Sequence, residues 1–107
     1  MVKPVTHLYG VRAPSLQEAR SAVERALKLD FALHESAYSG EYYLGGTPAG
    51  EHYQLQPNYH EGEEAWLEPD HRDVPYLLYV NCPACPDKVK EMLERVPLIR
   101  QLAREFS

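Results

Sequence analysis

The run PYLLYVN, residues 75–81, constrains the fold more than any other part of this 107-residue chain. Its apolar residues follow one another instead of alternating with polar ones, which is typical of a strand covered on both faces. Such a strand lies in the middle of a sheet, so other elements must cover the sheet above and below it. A chain of this length supports one modest core, and we therefore expect a single domain over residues 1–107.

Two helices are predicted from apolar spacing. Ser15 and Glu18 form an S-x-x-E capping box at the start of the first helix. The apolar stripe that follows at helical spacing consists of Leu16, Ala19, Val23, Ala26 and Leu27. The second helix is predicted from about Pro86 to Pro97, which stops it. Its stripe consists of Val89, Met92, Leu93 and Val96.

Strands are predicted where apolar and polar residues alternate or where an apolar run is short. They cover Thr6–Val11 and residues 31–38, 41–44, 51–56, 75–81 and 98–106. The resulting order is β-α-β-β-β-β-α-β, with a loop before the fifth strand. We therefore predict an α+β fold with a mostly antiparallel sheet of five to six strands and two helices, a ferredoxin-like variant with an extra hairpin.

The net charge of the chain is concentrated in residues 60–73, HEGEEAWLEPDHRD, which we call the acidic segment. Six acids and one base, Arg72, give this segment a charge of −5, the net charge of the whole protein. One interpretation is a solvated loop that keeps the protein soluble, with Trp66 pinning it to its own domain. The other is a binding surface, in which clustered charge speeds encounter with a basic partner and Trp66 supplies an apolar anchor.

Charge and hydropathy also exclude some functions. A net charge of −5 argues against direct nucleic-acid binding, which depends on Lys and Arg. No apolar run reaches the ~20 residues of a transmembrane helix, and the start MVKPVTHLYG has no apolar region of a secretion signal. We therefore expect a cytoplasmic protein with neither a membrane nor a nucleic acid as its direct partner.

The motif Cys82-Pro83-Ala84-Cys85 is the sharpest chemical signal, since it follows a buried strand and precedes a helix. A helix N-terminus lowers the pKa of a thiol, and a second cysteine can resolve a mixed disulfide. A small thiol oxidoreductase that uses Cys82 and Cys85 is therefore the alternative function. Against it, thioredoxin-like proteins carry this motif after an early strand, whereas only 22 residues follow Cys85.

No catalytic or metal motif was found elsewhere. The histidines near the acidic segment are His52, His60 and His71. With Glu63 or Asp70 they could bind a cation, but their spacing matches no known metal motif. There is no nucleophile elbow, phosphate-binding glycine loop or H-E-x-x-H sequence. We expect no catalytic residue, no metal and no cofactor.

Tyrosine is unusually frequent, with eight residues. Those on or just beyond the three-stranded meander are Tyr38, Tyr42, Tyr43, Tyr53 and Tyr59. They could form a tyrosine-rich face beside the acidic segment, because Tyr and Trp are favoured at the centres of interfaces. They could equally fill the sheet, because tyrosine is a good strand former. Alternation places at least one of Tyr42 and Tyr43 in the core.

The segments ESAYSGEYYLGG and EHYQLQPNYH, the acidic segment, and VPYLLYVN before the closing helix together resemble small bacterial immunity proteins. The resemblance covers residues 30–95. Such proteins are cytoplasmic antidotes encoded beside secreted polymorphic or contact-dependent growth-inhibition toxins. The resemblance implies a small, acidic, non-enzymatic protein whose partner is one cognate toxin domain, often a nuclease.

The leading hypothesis combines this resemblance with the charge pattern. The chain would neutralise a basic toxin domain, with its carboxylates mimicking the phosphates of the toxin's substrate. Trp66 and Tyr59 would form the desolvated centre of the interface. The predicted toxin-binding residues are Tyr59, Glu61, Glu63, Glu64, Trp66, Glu68, Asp70 and Asp73.

Overall fold

The computed structural model describes residues 6–36, 40–46, 51–60, 64–81 and 85–106. Two helices and eight strands are present in these ranges. In chain order they are β1 (Thr6–Val11), α1 (Leu16–Leu27), β2 (Phe31–Ser36), β3 (Gly40–Gly46), β4 (His52–Pro57), β5 (Tyr59–His60), β6 (Ala65–Trp66), β7 (Tyr76–Asn81), α2 (Pro86–Glu94) and β8 (Ile99–Phe106).

Six of the strands form one antiparallel sheet in the order β2-β3-β4-β7-β1-β8, and β5 pairs with β6 in a separate hairpin. The predicted α+β fold is therefore confirmed. Strands β4, β7, β1 and β8 with the two helices have the split β-α-β-β-α-β arrangement. The hairpin β2–β3 is the extra one, and it extends the sheet beyond β4.

Local contacts explain where α1 begins and ends. The Ser15 hydroxyl accepts a hydrogen bond from the Glu18 N–H at 3.2 Å, as the capping box predicts. The helix ends at Lys28, which has a φ of 56° and donates its N–H to the Glu24 carbonyl. The Glu24 carboxylate in turn accepts the Phe31 N–H at 2.8 Å, which ties the end of α1 to the start of β2.

Both helices pack on one face of the sheet. Val23 of α1 and Leu93 of α2 lie in one buried cluster with sheet residues such as Tyr9, Leu55 and Leu78. We refer to the side of the sheet that the helices cover as the helix face.

In the described part of the chain, no helix is long and apolar enough to cross a membrane.

The opposite face carries a smaller cluster of Leu8, Leu77 and Val74. Val74 follows the acidic segment directly, so that segment crosses this face, which we call the loop face. Leu77 and Leu78 point to opposite sides of β7, and each is 0% exposed. The prediction that residues 75–81 form a central strand covered on both faces is thus confirmed.

The side chain of Val74 packs so closely on β1 that the residue at the point of contact, Gly10, has no room for a side chain. A Cβ atom on Gly10 would lie 2.8 Å from Val74 Cγ1 and 3.1 Å from Leu102 Cδ1. We expect Gly10→Ala to lower the free energy of unfolding by about 1 to 3 kcal/mol through overpacking, measured by urea denaturation. Val74→Ala removes the closest atoms. The double variant should therefore lose less stability than the two single variants together, whereas strictly additive losses would contradict the contact.

The prediction of a tyrosine-rich face is wrong for two of its members. Tyr43 and Tyr53 are buried on the helix face, where they pack in the main core. Tyr42 lies on the loop face of β3 and stacks on His34, with 5.7 Å between ring centroids. Tyr38 lies outside the described residues. Among the meander tyrosines that the structure describes, Tyr59 alone forms a ring contact with Trp66, the aromatic residue of the acidic segment.

Candidate functional site

The acidic segment is held against the loop face by one buried amide, Asn58. Its side-chain Nδ2 donates to the carbonyls of His71 at 2.8 Å and Val74 at 3.0 Å. Its Oδ1 accepts the Glu68 N–H at 2.8 Å. Two points of the segment and the residue directly after it are thus bound by one side chain that is itself 0% exposed.

The backbone of Asn58 completes this anchor. Its N–H donates to the Pro75 carbonyl at 2.9 Å, and its carbonyl accepts the Leu67 N–H at 2.6 Å. Because buried polar groups are costly unless they are hydrogen-bonded, this set of bonds favours one conformation of the segment. Residues 64–73 therefore lie on the loop face as a fixed element, although the sequence pattern indicated only a loop.

The hairpin β5–β6 presents an aromatic pair. Tyr59 and Trp66 are directly opposite each other in its register, with ring centroids 5.1 Å apart and planes inclined by 56°. Tilted aromatic pairs at this distance are attractive beyond the area they bury. Tyr59 is 40% exposed, and Leu67 beside Trp66 is 37% exposed. We call these three residues the aromatic ridge.

Among the predicted binding acids in the described ranges, two are already engaged. The Glu68 carboxylate accepts a hydrogen bond from the Tyr79 hydroxyl at 2.8 Å. Burial, reinforced by this carboxylate, raises the pKa of Tyr79, so the hydroxyl stays protonated and keeps donating. Asp73 forms an ion pair with Arg12 at the surface. Both acids thus help to hold the segment on the sheet.

The other two described acids point outward. Glu64 and Asp70 are exposed, and neither forms a hydrogen bond or ion pair with any residue that the structure describes. Glu64 has a φ of 49°, a conformation uncommon for residues other than glycine. Glu61 and Glu63 lie outside the described residues. The described part of the segment therefore combines an aromatic pair with two exposed carboxylates.

The histidines do not assemble into a metal site in the described ranges. No group of three or more His, Cys, Asp or Glu side chains there could hold a metal ion. The His71 carbonyl accepts from Asn58, so this residue contributes its backbone to the anchor. His52 lies on β4, and the side chain of His60 is outside the described part of the chain.

The cysteine motif is only partly within the described residues. Cys85 is exposed and free, and it occupies the position before α2 without a side-chain capping bond. Cys82 lies outside the described residues. The geometry of the two thiols therefore gives no specific support to the redox alternative.

Asn58 was missing from the residues predicted from sequence. It follows Pro57 at the end of a strand, where an Asn is ordinarily interpreted as a turn residue. The sequence nonetheless contained a signal for such an anchor. A central strand covered on both faces needs a cover on the side without helices. The acidic segment is the only long connection in the sequence that could provide it. A cover of this kind needs a polar anchor at its base.

In comparisons with known proteins, no protein-family model matches this chain, and no curated protein matches it in sequence.

Proposed function

We propose that this protein is an immunity protein that binds one cognate toxin domain, a basic nuclease, and neutralises it in the bacterial cytoplasm. Binding is stoichiometric and requires no catalysis. The aromatic ridge forms the centre of the interface, and the carboxylates of the acidic segment form its rim. The thiol oxidoreductase alternative is not proposed, since no specific observation favours it.

The observation that carries this proposal is the anchored conformation of an aromatic pair, in which Tyr59 is exposed and Trp66 is half-buried. Tyr59 and Trp66 contact each other across a two-stranded hairpin whose base is anchored by Asn58. A binding surface that is already ordered loses little conformational entropy when it meets its partner. A loop that served only solubility would have no need to hold two large aromatic rings together near its exposed end.

Charge supports a basic partner. A nuclease binds its substrate through Lys and Arg side chains that contact phosphates. Glu64 and Asp70 are exposed, so their carboxylates could pair with such side chains. Because these carboxylates are solvated, they should act mostly on the rate of association and on its dependence on salt.

The test of the charge mechanism is a pair of amide substitutions. We expect Glu64→Gln with Asp70→Asn to lower the association rate constant by about fivefold to tenfold at low salt, because electrostatic steering is reduced. The measurement is surface plasmon resonance with the immobilised toxin domain, at several salt concentrations. The dependence of the rate on salt should also weaken.

The matched control makes the same charge change on the helix face. Glu18→Gln with Asp30→Asn removes two exposed carboxylates far from the aromatic ridge. This control should retain the association rate of the wild type within about twofold, since the changes lie far from the contact. Equal effects of the two double variants would show that the association rate depends only on net charge, and would contradict the acidic segment as the binding surface.

A further inference from the structure

A basic groove lies on the helix face, on the opposite side of the sheet from the acidic segment. It runs between the C-terminal end of α1 and the exposed side of α2, and its volume is about 540 Å³. Four cations line it: Arg25, Lys28, Lys88 and Arg95. Its apolar lining consists of Ala26, Met92 and Val96, which pack on the core.

The charges of this groove are largely unneutralised. Glu91 is its one acidic lining residue among those described, and its carboxylate lies 2.7 Å from the Arg95 guanidinium. Arg25, Lys28 and Lys88 form no ion pair with any residue in the described ranges. Gathering like charges in one groove disfavours the free protein, and an acidic partner would relieve this repulsion.

The groove has both charged and apolar lining residues, and this combination narrows the class of ligand more than the charge alone does. A small anion would contact only the cations and leave the apolar floor exposed. An acidic segment that also carries large apolar side chains would satisfy both parts, because its carboxylates would meet the cations while its apolar groups cover the floor. The acidic segment itself has this composition, with Glu64 and Asp70 on either side of Trp66 and Leu67.

We propose that the basic groove of one molecule binds the acidic segment of a second copy. In the described part of that segment, the exposed carboxylates of Glu64 and Asp70 form no ion pair with any described residue. They are complementary in charge to the three cations of the groove that likewise form none, Arg25, Lys28 and Lys88. The two surfaces lie on opposite faces of one sheet, so a single molecule cannot bring them together. The contact joins unlike surfaces, which makes the assembly head-to-tail.

This self-association does not depend on the proposed toxin, although the two are linked. A molecule whose acidic segment lies in the groove of a neighbour has its aromatic ridge covered. A basic toxin domain would therefore compete with self-association for the same surface and separate the copies. The contact is charge-dominated, so it weakens as salt rises and strengthens as the protein is concentrated.

The test uses sedimentation velocity on the purified full chain without toxin. We expect the sedimentation coefficient of the wild type to rise from micromolar to millimolar protein at about 50 mM salt, and to return to the monomer value at about 500 mM salt. Arg25→Glu with Lys88→Glu, and separately Glu64→Lys with Asp70→Lys, should raise the dissociation constant by about tenfold or more. Lys90→Glu, on the same helix but outside the groove, should leave it unchanged.

Mixing the two charge-reversed variants gives the decisive result. Each variant alone opposes like charges at the contact, whereas an equimolar mixture pairs opposite charges at both kinds of contact, so association should return. A wild type that stays monomeric at millimolar concentration and low salt overturns the proposal. So does association that persists in Arg25→Glu with Lys88→Glu, or a mixture that remains monomeric. None of these outcomes bears on toxin binding.

Discussion

Asn58→Ala is expected to lower the free energy of unfolding by about 3 to 4 kcal/mol, because it removes three side-chain hydrogen bonds at a buried position. The carbonyls of His71 and Val74 and the N–H of Glu68 would each lose a partner, and unsatisfied buried groups cost about 1 to 3 kcal/mol apiece. The measurement is equilibrium unfolding in urea, monitored by circular dichroism.

Asn81→Ala is the matched control for this prediction. Asn81 is also an asparagine at the end of a strand of the sheet, but it is half-buried and accepts a hydrogen bond from the Thr6 hydroxyl at 2.7 Å. Its loss should cost about 1 kcal/mol. If Asn58→Ala proved no more destabilising than Asn81→Ala, the acidic segment would not depend on this anchor, and its fixed conformation would need another explanation.

Trp66→Ala is expected to weaken binding to the toxin domain by about 2 kcal/mol or more, which is a loss of about 30-fold in affinity. Trp66 pairs with Tyr59, so the substitution removes one ring from the centre of the proposed interface and leaves the other without its neighbour. Isothermal titration calorimetry with the purified toxin domain would measure the change. Most of it should come from faster dissociation, because interface mutations act mainly on that rate.

The control for Trp66 is the truncation of an exposed apolar residue outside the acidic segment. Leu33 is 50% exposed and lies on β2, the edge strand of the six-stranded sheet. Leu33→Ala should bind the toxin like the wild type. A Trp66→Ala variant that folds and binds with unchanged affinity would remove the aromatic ridge from the interface.

Much of the fold was predictable because its signals are local. The cap at Ser15 and the apolar stripe of α1 depend on neighbouring residues, and both have their predicted structural effect. The strand at residues 75–81 was predictable for the same reason. The second helix ends earlier than predicted, at Glu94, so Val96 and Pro97 lie beyond it. The tail after Pro97 forms the strand β8 at the edge of the sheet, as predicted from the inability of a helix to continue through that proline.

The structure within the acidic segment was not predictable from periodicity. The strands β5 and β6 have two residues each, too few to show alternation, and the 3₁₀ turn Pro69–His71 has no apolar stripe. What orders these short elements is a set of contacts from outside them, chiefly with Asn58 and Tyr79. A pattern of residue types does not specify where a buried amide directs its hydrogen bonds.

The candidate site was predicted at the level of the segment and not of its individual residues. The charge cluster and the lone tryptophan singled out the segment, and its role as a binding surface stays a prediction. They did not separate Glu68 and Asp73, which are engaged by Tyr79 and Arg12, from the outward Glu64 and Asp70. Alternation left open whether Tyr43 and Tyr53 join this surface or fill the sheet, because it gives relative sides of a strand and not which side meets the helices. Both fill the core, which agrees with the prediction that at least one of Tyr42 and Tyr43 does so.

The most direct test of the proposed function is a calorimetric titration of this protein with the purified toxin domain encoded by the adjacent upstream gene. We expect a 1:1 complex whose affinity falls as salt rises from about 50 to about 200 mM, and a marked loss of that affinity in Trp66→Ala. Absence of binding at low salt would contradict the immunity function. Binding that is insensitive both to salt and to Trp66→Ala would contradict the acidic segment and the aromatic ridge as its interface.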